Sequence, residues 1–347
     1  MHLLGEGMKN YTIKKEKLSR FIEHLLQNYT VWGPGKDNDV LIYKEISSPK
    51  EIILDFLKVK TTLKTIVFPQ TETLVQFFKE NNMAIETPSP PKKNSIIFGL
   101  RPCDAKSLQI LDTVFLSEYT DPFYCEKRNT TITIGLTCIN PQENCFCSSV
   151  GGNPDDPTGL DILLTDLTDK YYMEIITEKG EELLKDVQGI SPATEYDTQK
   201  KNKTCQQAKK RMSRQVSVKN IDSILDAIFD SLWWETIAQR CIGCGICTFL
   251  CPTCHCFDIQ DETSQNKGAR VRIWDSCMYA EYSCQASGYN PRAGQMNRVR
   301  NRIYHKFNYL PKNNKVLGCV GCGRCIDECP VHIDIIDIIA QALVVKS

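Results

Sequence analysis

The chain has 347 residues, room for two domains, and its 41% apolar and 24% charged residues are those of an ordinary globular protein. Lys plus Arg equals Asp plus Glu at 42 each, so net charge favours neither an acidic nor a basic partner. Eighteen cysteines are too few for a small disulfide-stapled scaffold, and in a chain this long their tight clustering reads as metal ligation.

The N-terminal run "MHLLGEGMKNYTIKKEK" has a four-residue apolar start and no h-region, and no stretch approaches the ~18 apolar residues of a membrane span. A reducing cytoplasm is the expected location. "LVQFFKENNMAIE" (74–86) reads as helical, and "NSIIFGL" (94–100) as a buried strand. "CDAKSLQILDTVF" places apolar residues at 105, 108, 111, 114 and 115, a helical stripe. "TTITIGLTC" is a strand ending on Cys138, and "GLDILLTDL" and "KYYMEIITEKG" are two strands joined by a turn.

Residues 191–220 are polar and fit either an exposed helix or a linker. "VKNIDSILDAIFDSLWWETIAQR" then predicts one helix with Ile221, Ile224, Leu225, Ile228, Leu232 and Ile237 on a single face, and Trp233 and Trp234 in the core. The expected fold is an α/β domain over 1–190, a polar and helical connector over 191–240, and an α+β dicluster ferredoxin-like domain over 241–347. A long insertion separates the two cluster motifs of that last domain.

Cys241, Cys244, Cys247 and Cys251-Pro252 fit C-x2-C-x2-C-x3-C-P, and Cys319, Cys322, Cys325 and Cys329-Pro330 fit it again. The runs "CIGCGICTFLCP" and "CVGCGRCIDECP" agree at seven of twelve positions, an internal repeat. Three thiolates at this spacing grip three corners of an iron–sulfur cubane, and the cysteine before proline reaches the other cluster. One [4Fe–4S] centre is therefore assigned to Cys241, Cys244, Cys247 and Cys329, and the other to Cys319, Cys322, Cys325 and Cys251. A zinc ribbon needs four thiolates on one closed tetrahedron and explains neither the third cysteine of each run nor its repetition.

Cys103, Cys138, Cys145 and Cys147 form a further candidate set. Cys103 and Cys138 each follow a predicted strand, where ligands gather in open α/β sheets. The other two lie on the loop "NPQENCFCSSVGGNP", which can fold over such a site. Either these four hold a third [4Fe–4S] centre or they are scattered structural cysteines; iron counting separates the two. Cys254, Cys256, Cys277 and Cys284 are expected to pack beside the clusters or donate to them, with His255 no ligand and Cys125 and Cys205 unattached.

These motifs resemble a known family. "GLRPCDAKSLQILD", "GLTC" followed by "CFCSSVGG", "CIGCGICTFLCPTCHCFD", "RVRIWDSC", "GYNPRAGQMNRVRNRIYHKFNY" and "CVGCGRCIDECPVHIDI" are together similar to the beta subunit of soluble nickel–iron sulfhydrogenases. They are equally similar to the electron-transfer subunit of anaerobic sulfite reductase. The resemblance spans nearly all of the chain after about residue 90. It implies a cytoplasmic electron-transfer subunit between a flavin- and NAD(P)-binding partner and a catalytic reductase or hydrogenase subunit, with ferredoxin a further partner. It carries over the eight cysteines of the two ferredoxin runs, and those of the N-terminal domain. No G-x-G-x-x-G run opens a helix after a strand, no Cys-Cys-Gly run is present, and five histidines are spread along the chain. The expected role is a component of a multi-subunit oxidoreductase that is not catalytic alone.

Between Glu281 and Asp327 lie 45 positions without an acid and with eight Lys or Arg. There Met296, Val299, Ile303 and Phe307 share one helical face, with Arg298, Arg300, Arg302 and Lys306 on the others. These cations either form a solvated face or sit beside the clusters, where they raise the potential and steer an acidic partner. A different class of function, nucleic-acid binding through the basic 292–315 segment with Tyr304, Phe307 and Tyr309 interleaved, stands as the alternative.

Overall fold

The computed structural model describes residues 10–79, 83–87 and 93–345. Twelve strands follow in chain order: β1 (Tyr11–Lys14), β2 (Thr30–Asp37), β3 (Val40–Glu45), β4 (Thr71–Lys79), β5 (Met83–Glu86), β6 (Ser95–Leu100), β7 (Thr131–Leu136), β8 (Ile162–Asp166), β9 (Lys170–Ile175), β10 (Ile190–Pro192), β11 (Phe257–Ser264) and β12 (Lys267–Trp274). Eight of them form one mixed sheet in the order β10-β1-β9-β8-β7-β6-β2-β3. Its centre, β2-β6-β7-β8, is parallel, and antiparallel strands flank it on both sides.

The central strands read as unbroken apolar runs because both of their faces are covered. Ile96, Phe98, Ile134, Ile162 and Leu164 pack under the helix Lys15–Asn28 through Phe21, Ile22 and Leu25. The alternate residues Ile97, Leu100 and Leu163 pack against Leu108, Leu111 and Phe115 of the helix Pro102–Phe115. That helix begins where β6 ends, which places Cys103 at the carboxyl edge of the sheet; Cys138 follows β7 to the same edge.

Two expectations fail here. Residues 74–86 are not a helix: β4 and β5 pair antiparallel, with Phe77 opposite Ile85, and 80–82 lie outside the described residues. The helical reading lost to tertiary pairing, because β12 lies along β4 and supplies cross-strand partners from nearly two hundred residues downstream. The resulting four-stranded sheet, β11-β12-β4-β5, takes two strands from before residue 190 and two from after 241. Buried Arg272 of β12 donates to Glu72 and Asp121, and Lys127 also donates to Glu72, which ties this sheet to the helix Pro122–Asn129.

The second failure is the single helix over 218–240, which is two short helices, Ile221–Ala227 and Trp233–Ala238. At the break the carbonyl of Ile228 accepts both from Ser231 N–H at 3.1 Å and from the indole Nε1–H of buried Trp234 at 2.9 Å. Ile221, Leu225 and Ile228 are buried as the apolar stripe requires, but Leu232 is 74% exposed. The polar segment before it contains the helix Glu195–Lys210, started by a capping box between Thr194 and Asp197. Among the described residues no helix is long and apolar enough to cross a membrane.

Candidate metal centre

The two cysteine runs fold alike. In the first, Gly243 and Gly245 take φ of +69° and +75° before a turn of helix at Ile246–Phe249. In the second, Gly321 and Gly323 take φ of +66° and +75° before Arg324–Asp327. This left-handed backbone is open to glycine and strained for other residues, so each loop can curl until its thiols face inward. A Cβ on Gly323 would stand 2.5 Å from the carbonyl oxygen of Asn144, so the close approach of the 144–147 loop also requires glycine.

The thiols of the two runs line two cavities. Cys241, Cys244 and Cys247 line one cavity together with Cys329 from the other run. Cys319, Cys322 and Cys325 line a second together with Cys251 from the first run. Cys325 and Arg302 border both, so the two cavities share a wall. The first is otherwise walled by apolar side chains such as Ile242, Met278, Val299 and Ile303. Among the described residues no three His, Cys, Asp or Glu side chains converge closely enough to hold a single metal ion. The sulfurs are spread around the two cavities.

The donor set fits an iron–sulfur cluster. Hydrogen-bond donors point at sulfurs of the two runs: Ile333 N–H to Cys329 Sγ at 3.2 Å, Gly321 N–H to Cys319 Sγ at 3.4 Å, and the Gln295 amide to Cys241 Sγ at 3.0 Å. Lys306 Nζ stands 3.2 Å from Cys251 Sγ and also reaches Thr253 Oγ1 and the carbonyl of Gly318. A hydrogen bond from the Cys254 thiol, aided by Lys306, holds Cys251 well below the usual thiol range. Burial pushes Cys319 up to about 11 and raises Cys247 and Cys325, so these thiols require an electropositive group to ionise.

The solvated-face reading of the basic segment is corrected. Arg298, Arg302 and Lys306 are 8%, 7% and 3% exposed on the helix Gln295–Tyr304 and the π-turn His305–Tyr309 that extends it. Burial alone would lower Lys306, but the facing Cys251 and Cys254 outweigh it and its pKa is raised. Arg302 is raised in the same way, against burial, by Cys247, Cys325 and Cys254. The apolar stripe of Val299, Ile303 and Phe307 is buried as well, so this helix is covered on two sides. One signal in the sequence was available: residues 298, 302 and 306 are four apart and therefore share a face. With these three cations turned inward and Arg300 stacked 3.8 Å over Phe229, the nucleic-acid alternative loses much of the basic surface it rested on, although Lys312 and Lys315 stay exposed.

The N-terminal cysteines lie against the second run. Phe146 N–H donates to the carbonyl of Gly321 at 2.8 Å, and Cys145 Sγ is 3.9 Å from the carbonyl of Cys322. Cys103 packs with Cys322, Ile110 and Val320. Burial raises Cys138, Cys145 and Cys147, the last to about 12; Cys138 and Cys147 each feel Cys145, and Cys103 also lies within its reach. An ion pair absent from the sequence reading fastens this region. Arg324, in the gap of the second run, makes bonds of 2.7 and 2.8 Å to both carboxylate oxygens of Asp104. Both side chains are essentially fully buried.

Of the remaining cysteines, Cys254 and Cys277 are buried, Cys256 is half-buried and Cys284 is exposed. Cys125 Sγ accepts a bond from Asn129, and Cys205 is buried within the helix Glu195–Lys210. His255 is held to about 4 by burial, with its ring 5.2 Å from that of His305.

Residues 240–333 match the family model described as a 4Fe-4S dicluster domain. The chain is 30% identical over 342 residues to sulfhydrogenase 2 subunit beta of Pyrococcus furiosus, covering 97% of this chain and all of that protein. The chain belongs to the sulfhydrogenase subunit beta family. A chain of the F420-reducing [NiFe] hydrogenase complex from Methanosarcina barkeri, solved in a xenon-derivatization study, is also similar, with a TM-score of 0.37 and 9% identity over 63% of this chain and 94% of that one. Within the sulfhydrogenase beta family, this chain is an iron–sulfur protein whose dicluster domain spans both cysteine runs.

Proposed function

We propose that this chain relays single electrons within a hydrogenase-type complex, between a flavin- and NAD(P)-binding partner and a catalytic hydrogenase or reductase subunit. The observation that supports the reading is the pair of cysteine-lined cavities, each reached by a thiol from the other run and sharing Cys325 and Arg302 as a wall. Cys241, Cys244, Cys247 and Cys329 hold one [4Fe–4S] centre; Cys319, Cys322, Cys325 and Cys251 hold the other. Cys103, Cys138, Cys145 and Cys147 hold a third beside the second run. Each centre, when bound, supplies one reversible electron.

The chain's own residues set the conditions for that exchange. Buried Met278, Val299 and Ile303 form an apolar inner wall for the first site, while Ile242 and Cys244 lie at its exposed side. Lys306 places a buried cation against the sulfurs of the second site and Arg302 another between the two, where they favour the more negative reduced state. The Arg324–Asp104 pair fixes the second run to the helix that carries Cys103.

Anaerobic reconstitution followed by iron counting tests the assignment: about twelve irons per chain is expected for three centres, and about eight removes the third. Two tightly held zinc ions with no visible absorbance would overturn the cluster reading altogether. Reduction of a substrate at enzymatic rates by the isolated chain would overturn the relay.

A further inference from the structure

Two thiols outside the cluster sets stand in contact. Cys256 immediately precedes β11 and Cys277 lies three residues beyond the end of β12, so the β11–β12 hairpin brings them together at its open end. The ladder runs to that end, with Phe257 opposite Trp274, and Asp275 N–H donates to the carbonyl of Cys256 at 3.0 Å. Cys256 packs against the buried group that Cys277 forms with Ala238, Met278 and Val299, and Tyr282 packs there too.

Their surroundings tie them to both cluster sites. Cys256 and Cys277 pack in one apolar group with Cys241 and Cys247, two cysteines of the first site. On the other side Cys277 lies near Cys254, whose thiol bonds Cys251 of the second site. Cys277 is buried and Cys256 is half-buried, so protons reach the pair from the Cys256 side.

We propose that Cys256 and Cys277 form a two-electron dithiol–disulfide couple served by the two cluster sites. The inference rests on the cluster assignment above. In the reductive direction the Cys256 Sγ–Cys277 Sγ bond takes up two electrons, one through each cluster site, and two protons from water at the half-buried Cys256 side. The bond breaks and two thiols result. In the oxidative direction the two S–H groups lose those protons, the sulfur–sulfur bond forms, and both electrons leave through the same sites. Cysteines that pack together at the open end of a paired hairpin can be bridged where their Cα atoms lie within about 7 Å. Such a couple joins one-electron carriers to a two-electron step.

The test uses the reconstituted full chain under anaerobic conditions. One sample is oxidised with ferricyanide and one reduced with dithionite; each is alkylated with iodoacetamide, digested and mapped by mass spectrometry. A linked 256–277 peptide is expected in the oxidised sample only, with both cysteines alkylated in the reduced one. Reductive titration should consume two electrons per chain beyond those that the clusters accept, and Cys277→Ser and Cys256→Ser should each abolish that excess with iron content unchanged. No linked peptide in an oxidised chain with intact cluster absorbance overturns the couple while leaving the relay standing. Loss of iron in either variant overturns it as well, because the thiols are then metal ligands. Absence of reducible iron–sulfur absorbance in the unmodified chain overturns the cluster assignment, and the couple with it.

Discussion

Lys306→Gln isolates the electrostatic contribution of one buried cation to the second cluster site. Lys306 is 3% exposed and its Nζ stands 3.2 Å from Cys251 Sγ, so solvent screens the interaction little. Coulomb's law at an effective dielectric of about 20 gives about 5 kcal/mol for unit charges at that separation. An electron added to a cluster is shared among its irons and sulfurs, so Cys251 carries a fraction of it. A share of about one third leaves about 1.7 kcal/mol, or about 75 mV for a one-electron couple. Gln retains a donor for the Gly318 carbonyl, which an apolar replacement would leave bare at a cost of about 1–3 kcal/mol. A potentiometric titration followed by EPR should show one centre shifted down by about 50–100 mV, the other nearly unchanged, and iron content as in the parent. Equal shifts in both centres, or none in either, would refute the placement of Lys306 against the second site alone.

Cys329→Ser should weaken the first centre although the residue lies in the second run, and Cys251→Ser should weaken the second, each with a loss of up to about four irons by analysis. Asp104→Asn leaves Arg324 buried against a neutral partner and should cost about 3–5 kcal/mol in denaturant unfolding, with an unchanged midpoint as the contrary result. His255 and His305 are held to about 4 and about 3, mainly by burial, so below the ordinary histidine pKa of about 6.5 the unfolded chain binds more protons than the folded one. Stability should therefore fall as pH drops from about 6.5 towards 4, and His305→Phe should remove about half of that fall in denaturant midpoints taken across the range.

The cysteine runs carried most of the site in the sequence, because three-residue spacing and glycine at two fixed offsets leave the backbone one way to curl. The sheet was legible where local pattern and burial agree: β6 and β7 fall within predicted segments, and the helix Pro102–Phe115 starts one residue before the predicted one. Residues 74–86 failed because the decisive partner, β12, is remote, and an amphipathic run of this length fits either period. The break at Ile228 was hidden because the apolar spacing continues through Leu232, which the structure exposes. The burial of Arg298, Arg302 and Lys306 was misjudged because a cation's usual place is solvent. The carbonyls of Arg292 and Ala293 hold Arg298, and thiols folded against Arg302 and Lys306 reverse the expectation for those two. Arg324 stood unread between two ligand cysteines because its partner, Asp104, lies more than two hundred positions away.

Quantitative EPR of the dithionite-reduced, reconstituted chain tests the interlocked pair of centres most directly. Cavities that share Cys325 and Arg302 as a wall place two paramagnetic centres within reach of each other, so the expected spectrum is that of two interacting spins, reverting to a single isolated centre in Cys329→Ser. Two independent signals with no sign of interaction, or an unaltered spectrum in Cys329→Ser, would contradict it.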